Sequence, residues 1–404
     1  MLKLYTPASR GFFLGVTMQI VERFLKLESA SGILLIGAMG LAMVMANSPL
    51  DSYYQAILDL PVEVRVGPLQ LDKPLLLWIN DGLMAIFFML VGLEVKREIL
   101  VGRLSETSNV VLPVVAALGG MLVPALCFTY FNWGDDIAMR GWAIPTATDI
   151  AFALGVLSLL GSRVPTALKL FLMTLAIIDD LGAILIIALF YTTELSALSL
   201  YVAEVTIALL FIMNRMGVMR IAAYMIVGMV LWVSVLKSGV HATLSGVVLA
   251  FAIPLTNPDK PTFSPLTWLE QQLHPWVAFA ILPFFAFANA GVSLNAISLD
   301  LLFASAPLGI MAGLFLGKQV GVFLFTWLAI ISGIAKKPQG AHWRSIYGVS
   351  LLTGIGFTMS LFVDSLAYEG MADLYGGADR LAILLGSLLS AVSGYWLLKT
   401  TLKD

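Results

Sequence analysis

Charge is what this chain has least of. Only 12% of its 404 residues are Asp, Glu, Lys or Arg, and 59% are hydrophobic. A soluble chain carries about 25% charged and about 45–50% apolar residues. Mean hydropathy is +0.94. No soluble domain of this size covers so much apolar surface with so few charges, so the solvent is lipid. Neither sign dominates: 23 basic and 25 acidic residues leave a net −2, which excludes an overall basic footprint for nucleic acid. A single cysteine, Cys127, excludes an internal disulfide and a multi-thiolate metal cluster. The three histidines, His241, His274 and His342, lie far apart and form no ligand pair. A haem or zinc enzyme is therefore not expected, and no cofactor is.

What is present is a series of apolar stretches. A helix needs about 20 residues to cross the hydrocarbon. Twelve candidates fall near 27–46, 75–100, 109–132, 137–160, 166–191, 198–214, 220–236, 240–254, 266–289, 306–331, 345–367 and 379–399. The seventh and eighth are short for full spans. An even count puts both termini on one side. With that arrangement, and with residues near span ends counted to the adjoining loop, 17 Lys and Arg residues fall on the terminal side, 5 on the other, and Lys318 alone in the middle of a span. The bias marks the terminal side as cytoplasmic. Lys3, Arg10 and the apolar run Gly11 to Val21 precede Glu22-Arg23-Phe24-Leu25-Lys26 rather than a cleavage site. Residues 1–26 read as an amphipathic segment on the cytoplasmic membrane surface. The expected compartment is the inner membrane of a bacterium, with the chain multi-pass and 1–404 one membrane domain.

The longest outside segment, 47–74, alternates strictly from Val62 to Asp72 on both sides of Gly67-Pro68, which predicts a β-hairpin. Its open edges suit pairing with another copy of the chain. A local lid over its own chain is the alternative.

A charge at the bilayer centre costs about 2.5–3.5 kcal/mol on insertion scales, so those that remain are functional candidates. Four stand out: Asp149 in the fourth span, Asp179 and Asp180 in the fifth, and Lys318 in the tenth. Adjacent residues on a helix point about 100° apart, so the two aspartates face different partners. Burial and mutual repulsion disfavour double ionisation, which lets such a pair exchange protons near neutral pH. Two carboxylates and a threonine hydroxyl also suit a small hard cation. A site that holds either protons or a cation, and not both well, is a recipe for exchange. An Asp–Lys pair that only staples two helices is the alternative for Lys318, but one lysine cannot neutralise three carboxylates.

Backbone breaks add a second signal. Pro145 lies four residues before Asp149, and Gly354 and Gly356 interrupt the eleventh span. Transporters use broken helices as ion sites at the midplane.

These residues resemble the NhaA family of sodium/proton antiporters. The likeness runs through Ala147-Thr148-Asp149-Ile150-Ala151-Phe152-Ala153-Leu154-Gly155, Ile177-Ile178-Asp179-Asp180-Leu181-Gly182-Ala183 and Val91-Gly92-Leu93-Glu94-Val95-Lys96-Arg97-Glu98. It continues in Ser238-Gly239-Val240-His241-Ala242-Thr243, Phe287-Ala288-Asn289-Ala290-Gly291-Val292 and Gly354-Ile355-Gly356-Phe357-Thr358-Met359-Ser360. The resemblance implies an all-α polytopic membrane protein of twelve helices in two inverted repeats, with crossed, partly unwound fourth and eleventh helices. It implies that Asp179 and Asp180 carry the cation and protons, with Thr148 a cation ligand. Asp149 then balances the helix ends, and Lys318 is the opposing charge and a partner of Asp179. It further implies pH-regulated, electrogenic exchange of external protons for internal Na+ or Li+ by alternating access, and a homodimer formed through the hairpin at 59–72.

Other residues have a weaker hold. Asp81 reads as a polar contact to a neighbouring helix. Glu94, Lys96, Arg97 and Glu98 read as a solvated interface cluster, whereas the resemblance makes Glu94, Glu98 and Glu270 a pH-sensing entrance. His241 has a side chain that titrates near neutrality, yet it sits near the outer end of its span, where a packed polar role is the favoured reading. Three rivals remain at this stage: an intramembrane aspartyl protease, a passive channel, and an antiporter-like subunit of a redox complex. No Gly-x-Gly-Asp motif supports the first, and a lone buried lysine fits the last poorly.

Overall fold

The computed structural model describes residues 30–67, 69–102, 104, 107–191, 196–256, 263–371 and 374–402. The amphipathic segment expected at 1–26 lies outside them. Apolar runs interrupted by few charges become helices, because in lipid a backbone must satisfy its own hydrogen bonds. We label α1 (Ala30–Ala46), α2 (Asp51–Leu58), β1 (Pro61–Val66), β2 (Leu69–Pro74), α3 (Leu75–Leu100) and α4 (Thr107–Asn132). A 3₁₀ segment, Ala138–Thr146, leads into α5 (Ile150–Ser158). Then follow α6 (Thr166–Phe190), α7 (Ala197–Arg215), α8 (Ile221–Leu236), α9 (Leu244–Ala252), α10 (Pro265–Trp276) and α11 (Leu282–Asn289). The chain ends with α12 (Ser305–Ile331), α13 (Trp343–Leu352), α14 (Phe357–Ala367) and α15 (Ala378–Thr401).

Among the described residues, seven helices are long and apolar enough to cross a membrane, or up to nine if each of two bent pairs counts as one span. The bent pairs are α1 with α2, at 115°, and α13 with α14, at 44°. The remaining stretches expected as spans fall on short or interrupted helices. α8 has 16 residues and α9 has 9. α10 and α11 are joined through a π-helical turn, Val277–Ile281, that follows Pro275. Large side chains point outward along the bundle: Leu198 is 75% exposed, Ile226 70% and Leu189 74%. Water would not tolerate such a belt, and lipid does.

The bundle is held by close backbone approach as well as by side chains, as membrane helices require. α4 packs along α12, where a Cβ on Gly119 would strike the carbonyl of Gly321 and one on Gly321 the carbonyl of Gly119. α3 packs on α9, where Gly246 faces the backbone of Ala85. Immediately before Lys318, α12 contains a π-helical turn, Gly313–Gly317. Such turns re-aim the residues that follow them and recur at functional sites.

β1 and β2 pair antiparallel from Pro61 opposite Pro74 to Val66 opposite Leu69. Gly67 sits at φ +59°, where a side chain is disfavoured. The strands thus begin two residues after the expected start at 59 and run two residues past the expected end at 72. Trp78 Nε1 donates to the Val62 carbonyl at 3.0 Å, tying the hairpin to the start of α3.

Candidate functional site

The site grows from two interruptions of helix. In the fourth span the 3₁₀ segment carries Pro145, and Ala147 takes an extended conformation at φ −81°, ψ 151°. Helix resumes at Ile150 with Asp149 as its cap, Oδ1 accepting from the Phe152 amide at 2.9 Å. In the eleventh span α13 stops at Leu352 and α14 starts at Phe357. Gly354 and Gly356 serve here through their lack of bulk rather than through positive φ. A Cβ on Gly354 would meet the Leu314 carbonyl and the Ser390 hydroxyl.

The two breaks touch. The Asp149 amide donates to the Ile355 carbonyl at 2.7 Å, and Ser360 Oγ donates to the Ile144 carbonyl at 2.8 Å. Asp149 Oδ2 accepts from the Thr358 amide at 3.2 Å and from the Thr358 hydroxyl. One carboxylate therefore caps α5 and α14 together. Each helix start presents about half a positive charge, so a single carboxylate offsets both. From α15, the Ser387 hydroxyl accepts from the amides of Gly356 and Phe357 at 3.2 and 3.1 Å.

Beside this crossing, α6 brings Asp179 and Asp180, and α12 brings Lys318. Lys318 Nζ lies 2.5 Å from Asp179 Oδ2, and neither side chain has any exposed surface. The Thr148 hydroxyl is 2.8 Å from the same oxygen and 2.9 Å from the Thr353 carbonyl. Among the described residues, Asp179 Oδ1 and Asp180 Oδ2 find no hydrogen-bond partner, and both are buried. Asp179 thus faces the lysine, whereas Asp180 and Asp149 line a cavity of about 210 Å³ together with Glu94, His274 and Thr358. A carboxylate in a dry setting without a donor is costly, so a proton or a cation is the natural occupant.

The acids expected at an entrance are gathered near this cavity. Glu94 lines it. Arg97 joins the other two, with Nε 2.9 Å from Glu270 Oε2 and a terminal guanidinium nitrogen 2.7 Å from Glu98 Oε1. Lys96 Nζ reaches the carbonyls of Phe251 and Ile253 at 2.7 and 2.5 Å, at the end of α9 where cations are favoured. His241 is elsewhere. It lines a different cavity on the hairpin face, edge-on to Phe362 with ring centroids 5.9 Å apart. The Asp81 side chain pairs with Lys73 of the hairpin at 2.8 Å, and its backbone carbonyl accepts from Trp232 Nε1 on the neighbouring α8 at 3.2 Å.

Sequence reasoning passed over Thr353, Thr358 and Ser360 as individual residues, although the glycine motif around them was visible. It also passed over the buried Asn80–Asn289 pair, which exchanges two side-chain hydrogen bonds at 3.2 and 2.8 Å, and Asp364, a carboxylate inside the eleventh span.

Fold and site together define a multi-pass membrane protein built around a buried ionisable centre where two broken helices meet. Comparison with known proteins narrows this class. The model of the family Na+/H+ antiporter 1 matches residues 22–398. The chain is 61% identical over 384 residues to a Na(+)/H(+) antiporter NhaA of Sulfurovum sp. (strain NBC37-1), covering 95% of this chain and 98% of that one. It is 60% identical over 388 residues to a Na(+)/H(+) antiporter NhaA 1 of Syntrophotalea carbinolica, covering 96% and 98%. It is 61% identical over 373 residues to a Na(+)/H(+) antiporter NhaA of Pseudomonas fluorescens (strain Pf0-1), covering 92% and 94%. The chain belongs to the Na+/H+ antiporter 1 family, a family of transporters.

Proposed function

We propose that this protein exchanges external protons for internal Na+ or Li+ across the bacterial inner membrane, with Asp179, Asp180 and Thr148 as the shared site. Family membership supports Na+/H+ exchange. The observation that carries the residue assignment is the pair of adjacent buried carboxylates, each with one oxygen lacking a donor. An alkali cation takes such oxygens, and protons take them when it leaves. Asp149 holds the two helix starts together, and Lys318 offsets the charge of Asp179 without ligating the cation. Because two carboxylates can each release a proton for one monovalent cation, the exchange is electrogenic. Alternating access moves the crossed helices about the site, and Glu94, Glu98, Glu270 and His241 set its response to pH. In this reading the chain is one transport domain with twelve crossings in inverted repeats, both termini cytoplasmic, lipid around it and a second copy joined through the hairpin at 59–72.

Proteoliposomes test the activity. Sodium added to vesicles holding a pH gradient should dissipate the gradient with the wild-type protein and not with Asp180→Asn. Wild-type flux from the Asn variant would remove the aspartate pair from the role. Sodium flux that is indifferent to the pH gradient would favour a channel, and cleavage of a membrane peptide would favour a protease.

A further inference from the structure

A second acidic chamber lies on the hairpin face of the bundle, open towards Glu369 and Gly370. Its volume is about 130 Å³, and its walls include Asp364 and Asp379. Asp364 is on α14, six residues beyond Thr358, so about 9 Å along the same helix from the central crossing. Between them Phe362 is fully buried, stacked edge-on against His241 and Phe285 and tilted against Phe88. The hairpin-face chamber and the central cavity share no lining residue.

Asp364 is 3% exposed, and its Oδ1 has no hydrogen-bond partner among the described residues. Several donors around it are committed elsewhere. The Tyr368 hydroxyl donates to the Ala138 carbonyl at 3.0 Å, and Ser365 Oγ to the Phe362 carbonyl at 2.7 Å. Asn289 Nδ2 serves Asn80 and the Phe285 carbonyl. Lys73 is paired with Asp81. Asp379, by contrast, accepts from the Arg380 amide at 2.9 Å. The chamber also holds Glu369, Arg380 and His241, whose Nδ1 is buried without a partner. Tyr375 packs edge-on against Tyr368 from the loop before α15. A second carboxylate in so small a space repels the first, and such pairs titrate together by sharing one proton. The volume exceeds the roughly 30 Å³ of a water molecule several times, so water can bring that proton.

We propose that this chamber is a second proton-holding station, in which Asp364 and Asp379 carry one proton between them, loaded from water on the hairpin side. The binding step is simple: hydronium gives its proton to a carboxylate oxygen of Asp364, an O–H bond forms, and water is left. Nothing is oxidised or reduced. Asp179 and Asp180 of the central site are not needed for this step, so it stands apart from the exchange chemistry proposed above, although its use in transport rests on that reading.

Infrared spectroscopy of the purified full chain tests it, by following the carbonyl stretch of protonated carboxyl groups as pH is varied. Asp364→Asn preserves shape and should remove one such band, while Asp180→Asn should leave that band in place. In Asp379→Asn the like charge is gone, so Asp364 ionises more readily. Its band should then disappear at a pH lower by on the order of one unit. The Asp379 variant also serves if Asp364→Asn does not fold. A spectrum in which neither substitution changes any titrating band would overturn the proposal. So would a band that responds to Na+ concentration and not to pH, because the chamber would then be a cation site. If vesicle exchange fails in the wild type but the band behaves as described, the transport reading falls and the station stands.

Discussion

Asp179 is served unevenly. Lys318 and Thr148 both crowd Oδ2, at 2.5 and 2.8 Å, and Oδ1 has no donor at all. The first oxygen is anchored and the second is available, which is the division of labour an exchanging site requires. In the proposed reading Lys318 is a structural charge with a tuning effect. Removing one partner of a buried pair can cost about 3–5 kcal/mol. Lys318→Ala should therefore lower the melting temperature in detergent. It also removes the attraction that favours ionised Asp179, so the carboxyl keeps its proton to higher pH and the exchange profile moves alkaline. Lys318→Arg keeps the charge and should be milder, although a planar guanidinium fits the site differently. Melting curves and pH–rate profiles of the two variants check this, and an Ala variant with unchanged melting and profile would leave Lys318 without a role. Asp149, Asp179, Asp180 and Lys318 were legible in the sequence because a charge inside an apolar run is conspicuous. Asp364 obeys the same rule and was missed because it sits near the end of its span, where a polar residue attracts less notice. Asn80 and Asn289 were illegible for another reason: only folding shows that two amides 209 positions apart satisfy each other.

At the scale of elements, the two breaks depend on one side chain. Asp149 Oδ1 caps α5 and Oδ2 caps α14. A lost cap costs about 0.5–2 kcal/mol, so Asp149→Ala should destabilise more than Thr358→Val, which removes one hydroxyl and leaves the Thr358 amide bond in place. Thermal denaturation of both variants tests the order; equal losses would mean that Asp149 acts through something other than its two caps. α12 makes a second case. Its close approach to α4 at Gly119 and Gly321 leaves no room for a side chain, and Lys318 lies one turn earlier on the same helix. Gly321→Leu should push α12 outward, lower stability and weaken cation binding together. Unchanged Li+-induced stabilisation in that variant would separate the packing from the site. The breaks themselves were foreshadowed by Pro145 and the Gly354–Gly356 pair. Their mutual contact was not, since spacing along a chain does not say which helices cross. The π-helical turn before Lys318 was likewise not foreseen, although Gly313 and Gly317 bound it.

Across the whole molecule the apolar belt and the skew of Lys and Arg were the readable features, and the hairpin followed from alternation around Gly67-Pro68. The paired strands, β1 and β2, form a two-stranded sheet, and isolated hairpins are marginal in water. Pairing with the hairpin of another copy would complete them. Deleting 61–74 and bridging the gap with glycines should convert a dimer to a monomer by light scattering in detergent, with each copy still able to exchange; a deleted protein that stays dimeric would return the hairpin to the role of a lid. The account's central claim is that one set of carboxylates holds either a cation or protons. Proton release on sodium binding measures this most directly, by calorimetry of the purified protein in buffers of different ionisation enthalpy. The account predicts that Na+ binding expels more than one proton per ion from the wild type at a pH where both aspartates are loaded, and that Asp180→Asn neither binds Na+ nor releases protons. Sodium binding with no proton release at any pH would contradict it.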